Sequence, residues 1–167
     1  MFSSIMVVMA MFASPEVSTL HVNYDAQYTQ MVEVGKYDHH FEEAHEKFWS
    51  ADETGQKDIQ ISLFTFDREV TSGEVVKEMG KDGFRPATVK ELLAFGAANP
   101  KCHLEGDTVA LGSKYEVFGC EMVPMIFPNQ RENNTHIYRE VGQIPWNTKW
   151  PSEKEIPGIR FLGVKVK

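Results

Sequence analysis

Cysteine, positive charge and long apolar runs are all scarce in this 167-residue chain, and each scarcity removes a class of protein. Two cysteines, Cys102 and Cys120, are too few for a disulfide framework, and no C-x-x-C pair offers half of a structural zinc site. Seventeen Lys and Arg stand against twenty-four Asp and Glu, a net charge of -7. A general nucleic-acid binder needs a basic face to displace counterions from phosphates, so that class is excluded. No apolar stretch approaches the roughly 20 residues of a membrane-spanning helix. A G-x-S-x-G nucleophile elbow and a phosphate-cradling G-x-x-x-x-G-K-[ST] loop are also missing.

What is present is ordinary for a globular domain: 42% hydrophobic and 25% charged residues. A chain of this length buries roughly 70% of the surface that its unfolded form exposes, enough for a core without metal or disulfide staples. Two unpaired, mostly buried thiols in a reducing compartment are the leading expectation for the cysteines, a single disulfide the alternative. Cytoplasmic placement follows from the first and secretion from the second. The apolar run from Ile5 to Ala13 has the length of a signal-peptide core, but no Lys or Arg occurs before Lys36. Residues 1–18 are therefore expected to be an apolar segment packed on the body or paired with a partner copy, and residues 19–167 a single α+β domain.

Periodicity supplies the elements. T-L-H-V-N-Y (Thr19 to Tyr24) alternates as a strand, and Asp25 can cap a helix carrying Tyr28, Met31 and Val32 inward and stopping at Gly35. Asp38 is placed to cap a second helix running to Trp49. From Asp58 to Phe66, Ile59, Ile61 and Leu63 face one way before Phe64 and Phe66 take the other, a central strand. Thr71 with Glu74, and Thr88 with Glu91, are capping boxes for two further helices, the second carrying Val89, Leu92, Leu93 and Phe95. From Thr108 onward, strand-like pieces alternate with polar or Pro-containing loops. The plan is α+β, with helices packed on a small, mostly antiparallel sheet and a loop-rich C-terminal half.

Gly83 to Gly96 reads G-F-R-P-A-T-V-K-E-L-L-A-F-G, and the chain closes on I-R-F-L-G-V-K-V. The first resembles the G-x-R-x-P-T-x-x-E-L/W turn and helix of bacterial C-type-lectin-like domains, including the formylglycine-generating group, and the second resembles their last strand. The resemblance implies a C-type-lectin-like fold with a loop-built binding face. The centre of the chain also resembles small, functionally uncharacterised bacterial proteins carrying R-P-A-T-x-x-E-L-L-A-F-G followed by V-A-L-G-S. That match covers about residues 19 to 167 and implies a bacterial or phage source, but no activity. Calcium-dependent lectins carry E-P-N and then W-N-D; here the corresponding tripeptides are Phe127-Pro128-Asn129 and Trp146-Asn147-Thr148, which lack two of the carboxylates that a hard cation requires. No metal and no cofactor is expected.

Three groups of residues could carry chemistry. His39, His40, Glu42, Glu43, His45 and Glu46 place Glu42 and His45 three apart, as in half of a di-iron site, but the facing half is absent and a solvated acidic face is the plainer reading. Cys102 beside His103, or Cys120 in F-G-C-E-M, could supply a thiol, although bulky apolar neighbours suppress thiolate chemistry. Between Met122 and Pro151, aromatic and amide side chains crowd together as they do in binding loops. The leading expectation is a non-enzymatic domain that binds a protein, peptide or small ligand. Its contact anchors would be Tyr138, Trp146 and Trp150, with Arg131, Arg139 and Asn147 giving polar selectivity. The alternatives are a small enzyme with a His/Glu or Cys/His site, and a self-assembling structural protein that forms homo-oligomers through its N-terminal segment.

Overall fold

A computed structural model describes residues 16–40, 53–131, 135–156 and 158–167. Eleven strands are formed among them: β1 Ser18–Asn23, β2 His39–His40, β3 Gln56–Phe64, β4 Val70–Thr71, β5 Phe84–Pro86, β6 Thr108–Val109, β7 Tyr115–Val117, β8 Cys120–Gln130, β9 Ile137–Pro145, β10 Lys149–Trp150 and β11 Arg160–Lys165. Three α-helices accompany them, α1 Tyr28–Gly35, α2 Ser72–Lys81 and α3 Val89–Ala98, and a 3-10 turn spans Cys102–Glu105. The main sheet runs β1-β3-β11-β6-β8-β9-β2, with β5 also on β11 and β7 also on β8; β4 and β10 form a separate pair. Only β11–β6 and β2–β9 are parallel. The expected mostly antiparallel α+β organisation is therefore present.

Side-chain alternation decides which face each residue joins. On β3, Ile61 lies in one core with Ile59 and Leu63 against it, while Phe64 belongs to the other with Phe66 beside it. On β11, Leu162 and Val164 enter the first core and Phe161 the second. The first core sits under α1 and α3, through Tyr28, Met31, Val32, Leu92, Leu93 and Phe95; the second sits under α2, through Val75 and Met79. Each fully buried Val, Leu or Phe contributes about 1.5–3 kcal/mol, so a centre covered on both sides gains from every position.

Both Thr capping boxes form. Thr71 and Thr88 accept from the backbone N–H of Glu74 and Glu91, whose carboxylates accept the threonine N–H in return. The first helix starts differently from the expectation: Gln27, not Asp25, is its N-cap, in a box with Gln30. It ends at Gly35, with Lys36 left-handed at φ 51°. The helix expected from Asp38 does not begin there. The Asp38 carboxylate accepts the Arg139 N–H at 2.7 Å and draws the chain alongside β9, so His39 and His40 pair in parallel with Glu140 and Val141. The remainder of that helix, the Glu42–Glu46 ligands and almost all of the apolar N-terminal segment lie outside the described residues.

Candidate functional site

The sequence motifs that carry the family resemblance assemble into one structural joint. Arg85 on β5 donates to both carboxylate oxygens of Glu91, at 2.7 and 3.0 Å, and reaches Glu53 at 3.3 Å. Glu91 is fully buried and also accepts the Tyr24 hydroxyl at 2.6 Å. Burial pushes its pKa up, but the Arg85 and Tyr24 hydrogen bonds outweigh that and hold the carboxyl below its ordinary range. The V-A-L-G-S piece locks onto the same helix start. Ser113 accepts the Val89 N–H at 2.9 Å, and Gly112 donates to the Ala87 carbonyl at 2.8 Å. Ala87 in turn donates to Leu162 on β11, and Arg85 pairs with Val164. These residues are consumed in holding α3 to the sheet.

Two of the six expected contact residues are also structural, which corrects the sequence reading. Trp150 is only 2% exposed; its indole donates to Ser72 at 3.0 Å and stands edge-on to Phe161. Arg139 is 4% exposed and donates to the carbonyls of Gly35 and Gly96, with its guanidinium over the Tyr37 ring. Gly35 closes α1 and Gly96 lies in the last turn of α3, where backbone carbonyls lack helical partners. A buried cation there satisfies both helix ends and meets their negative dipole poles. Gly96 must be glycine for this: a Cβ would come within 2.0 Å of the Tyr37 hydroxyl, which donates to Leu93.

The other four expected contacts reach solvent but stand at opposite ends of the β8–β9 ladder. At one end, Arg131 approaches His39 at 2.6 Å and stacks on Tyr138, which is edge-on to His136. At the other, Trp146 donates its backbone N–H to Glu121 and Asn147 is exposed in the following turn. Tyr138 pairs with Asn129, eight residues up the strand from Glu121, a separation of roughly 27 Å. A single continuous face from Met122 to Pro151 does not form. The Phe127–Asn129 and Trp146–Thr148 tripeptides are kept apart by the same ladder and cannot ligate one ion.

The Trp146 end holds a residue that the sequence reading passed over. β7 and β8 are joined by two residues, Phe118 and Gly119, both at positive φ (48° and 79°), the signature of a type I′ hairpin turn. The first position of such a turn suits Asn, Asp or Gly; a bulky aromatic there carries a steric cost. Phe118 is nevertheless fully exposed. Behind the tip, Lys114 lies 4.1 Å over the Trp146 ring and 3.4 Å from the Glu121 carboxylate. An outward phenyl ring, a half-buried indole and an exposed amide thus share one end of the sheet. The available signal was Y-E-V-F-G-C-E-M itself: two short alternating runs flank a residue followed by Gly, with Phe masking the usual Asn-Gly turn.

Catalytic groups are poorly served. Both cysteines are free thiols. Cys102 is buried, and burial raises its pKa against the opposing pull of Arg139 and Arg160. His103 is buried too; desolvation, then Arg139, lowers its pKa, and its Nδ1 has no hydrogen-bond partner among the described residues. A protonated thiol beside a neutral imidazole is not an activated nucleophile. A cleft of about 580 Å³ between β3 and the end of α3, walled by Ile61, Leu63, Phe95, Lys101 and Cys102, adjoins Cys102. Among the described residues, no three His, Cys, Asp or Glu side chains could hold a metal ion, and no helix is long and apolar enough to cross a membrane. Comparison with family models, with curated proteins and with solved structures gives no match.

Proposed function

We propose that this chain is a non-enzymatic recognition domain, with a C-type-lectin-like scaffold presenting the Phe118–Trp146–Asn147 end of its sheet to a protein or peptide. The observation that carries the reading is Phe118, a fully exposed aromatic held at φ 48° on the tip of a two-residue hairpin. A residue that gains nothing from burial and strains the turn is retained at a cost to folding, and functional sites are where such costs concentrate. Trp146 and Asn147 extend the contact area with a ring and an adaptable amide, the chemistry of binding loops. The lectin-like scaffold is supported by the pairing of β5 with β11, which joins the two motifs that carry the resemblance.

Selection of a displayed random-peptide library on the immobilised full chain tests this. Selected peptides should perturb the amide resonances of residues 114–121 and 146–148. They should lose most of their affinity for a Phe118→Ser, Trp146→Phe double variant, which keeps an aromatic ring packed on the second core at 146 and whose thermal midpoint stays close to that of the parent. Peptides that instead map to the Ile61–Cys102 cleft and bind the double variant equally well would refute the proposal.

A further inference from the structure

The hairpin that carries Phe118 also carries a second unfavourable feature. Glu116 and Glu121 are directly paired across β7 and β8, so two carboxylates share one face of a short two-stranded finger. Like charges directly opposite each other destabilise a ladder. Lys114 relieves only one of them, at 3.4 Å from Glu121; Glu116 has no ion partner among the described residues. Both carboxylates are exposed, and the next residue toward the tip from Glu116 is Val117, followed at once by the outward phenyl ring. The finger therefore presents an apolar point on an anionic shaft, within a chain of net charge -7.

We infer that the partner of this finger is a protein with an apolar socket wide enough for one phenyl ring and a rim of Lys or Arg side chains. The inference rests on the reading of this end as the recognition surface, and adds the chemistry of what it meets. Phe118 supplies the insertion: removing an exposed phenyl ring from water is favourable by an amount that scales with its buried area, and its position on a short turn limits the ordering cost. Glu116 and Glu121 supply selection and steering, because a cationic rim neutralises the repulsion between them while an anionic or neutral one does not. An anionic bilayer is disfavoured by the same two carboxylates and by the net charge.

Two ring-shaped hosts of equal bore imitate the two kinds of socket: β-cyclodextrin carrying amino groups on its narrow rim, and the same host carrying carboxylates. Titrated into the full chain and followed by the Phe118 aromatic resonances, the amino-rimmed host should bind roughly threefold or more tighter than the carboxylate-rimmed one. The preference should fall toward unity when salt is raised to about 1 M, where screening lengths fall to about 3 Å. Glu116→Gln should remove most of the preference while binding of both hosts persists. Phe118→Ala, followed instead by the Val117 and Gly119 amide resonances, should abolish the binding of both. Equal binding of the two hosts by the parent would overturn the cationic-rim inference yet leave Phe118 standing as a contact residue. Failure of both hosts to perturb Phe118 would overturn the inference together with the recognition reading beneath it. Phe118-dependent binding to phosphatidylcholine–phosphatidylglycerol vesicles would replace the protein socket with a membrane surface.

Discussion

The joint around Arg85 and Glu91 and the finger around Phe118 invert the usual placement of side chains. In the first, charged groups are inside: Glu91 is fully buried with every strong partner supplied by Arg85, Tyr24 and Thr88. In the second, an aromatic ring is outside with no partner among the described residues, on a backbone conformation that disfavours it. The difference shows that residue type does not by itself decide location; partnership does. A carboxylate with three donors is a structural bolt, and a phenyl ring with no neighbour is an offered contact.

The joint gives the largest expected effect. Glu91→Gln removes the closer of the two carboxylates that balance a half-buried Arg85, with Glu53 left at 3.3 Å, so the cost in chemical unfolding falls at the low end for breaking a buried pair, about 3 kcal/mol. The pH dependence gives a second handle. Glu91 has its folded pKa below the ordinary 4.5, so its contribution is complete above that pH and is lost as acid titrates the folded form. His103 is also lowered, by burial first and Arg139 second, from 6.5. A neutral buried histidine stabilises fully above 6.5, and that stability declines as pH falls toward its folded pKa. Wild-type protein should therefore lose stability gently from near pH 6.5 and more steeply below about 4.5, and Glu91→Gln should keep the first decline and make the second shallower, the remainder coming from Glu74 and Glu78. Two identical profiles would show that Glu91 is not the bolt.

Arg139 sharpens the comparison at intermediate scale, because it too is a charge placed inside. Arg139→Lys preserves the charge but cannot span the Gly35 and Gly96 carbonyls together, leaving one helix end unsatisfied, a loss of about 1–3 kcal/mol. An unchanged midpoint in urea would mean that the two helix ends do not depend on the guanidinium fork.

Much of the architecture was legible because it rests on local patterns. The Thr71–Glu74 and Thr88–Glu91 boxes, the face switch from Leu63 to Phe64 and the edge-to-core alternation of T-L-H-V-N-Y all follow from spacing that does not depend on distant chain. Asp38 misled because its capping chemistry is the same whether the backbone N–H it accepts belongs to its own helix or, as here, to Arg139 about a hundred residues away. Trp150 and Arg139 misled for a related reason. Polar atoms on large side chains suit a binding face, but the partners that bury them, Ser72 for the indole and two helix ends for the guanidinium, are nonlocal. Phe118 was hidden because the turn that exposes it is defined by backbone angle, and Phe is an improbable occupant of that angle.

The finger gives the smallest effect and the most direct test. Phe118→Asn places a residue suited to positive φ next to Gly119 and removes no buried surface, so urea unfolding should show a gain of about 1 kcal/mol with an unchanged m-value. A loss of similar size would mean that the phenyl ring is packed in solution, and would contradict the account of Phe118 as an aromatic held outward for a partner.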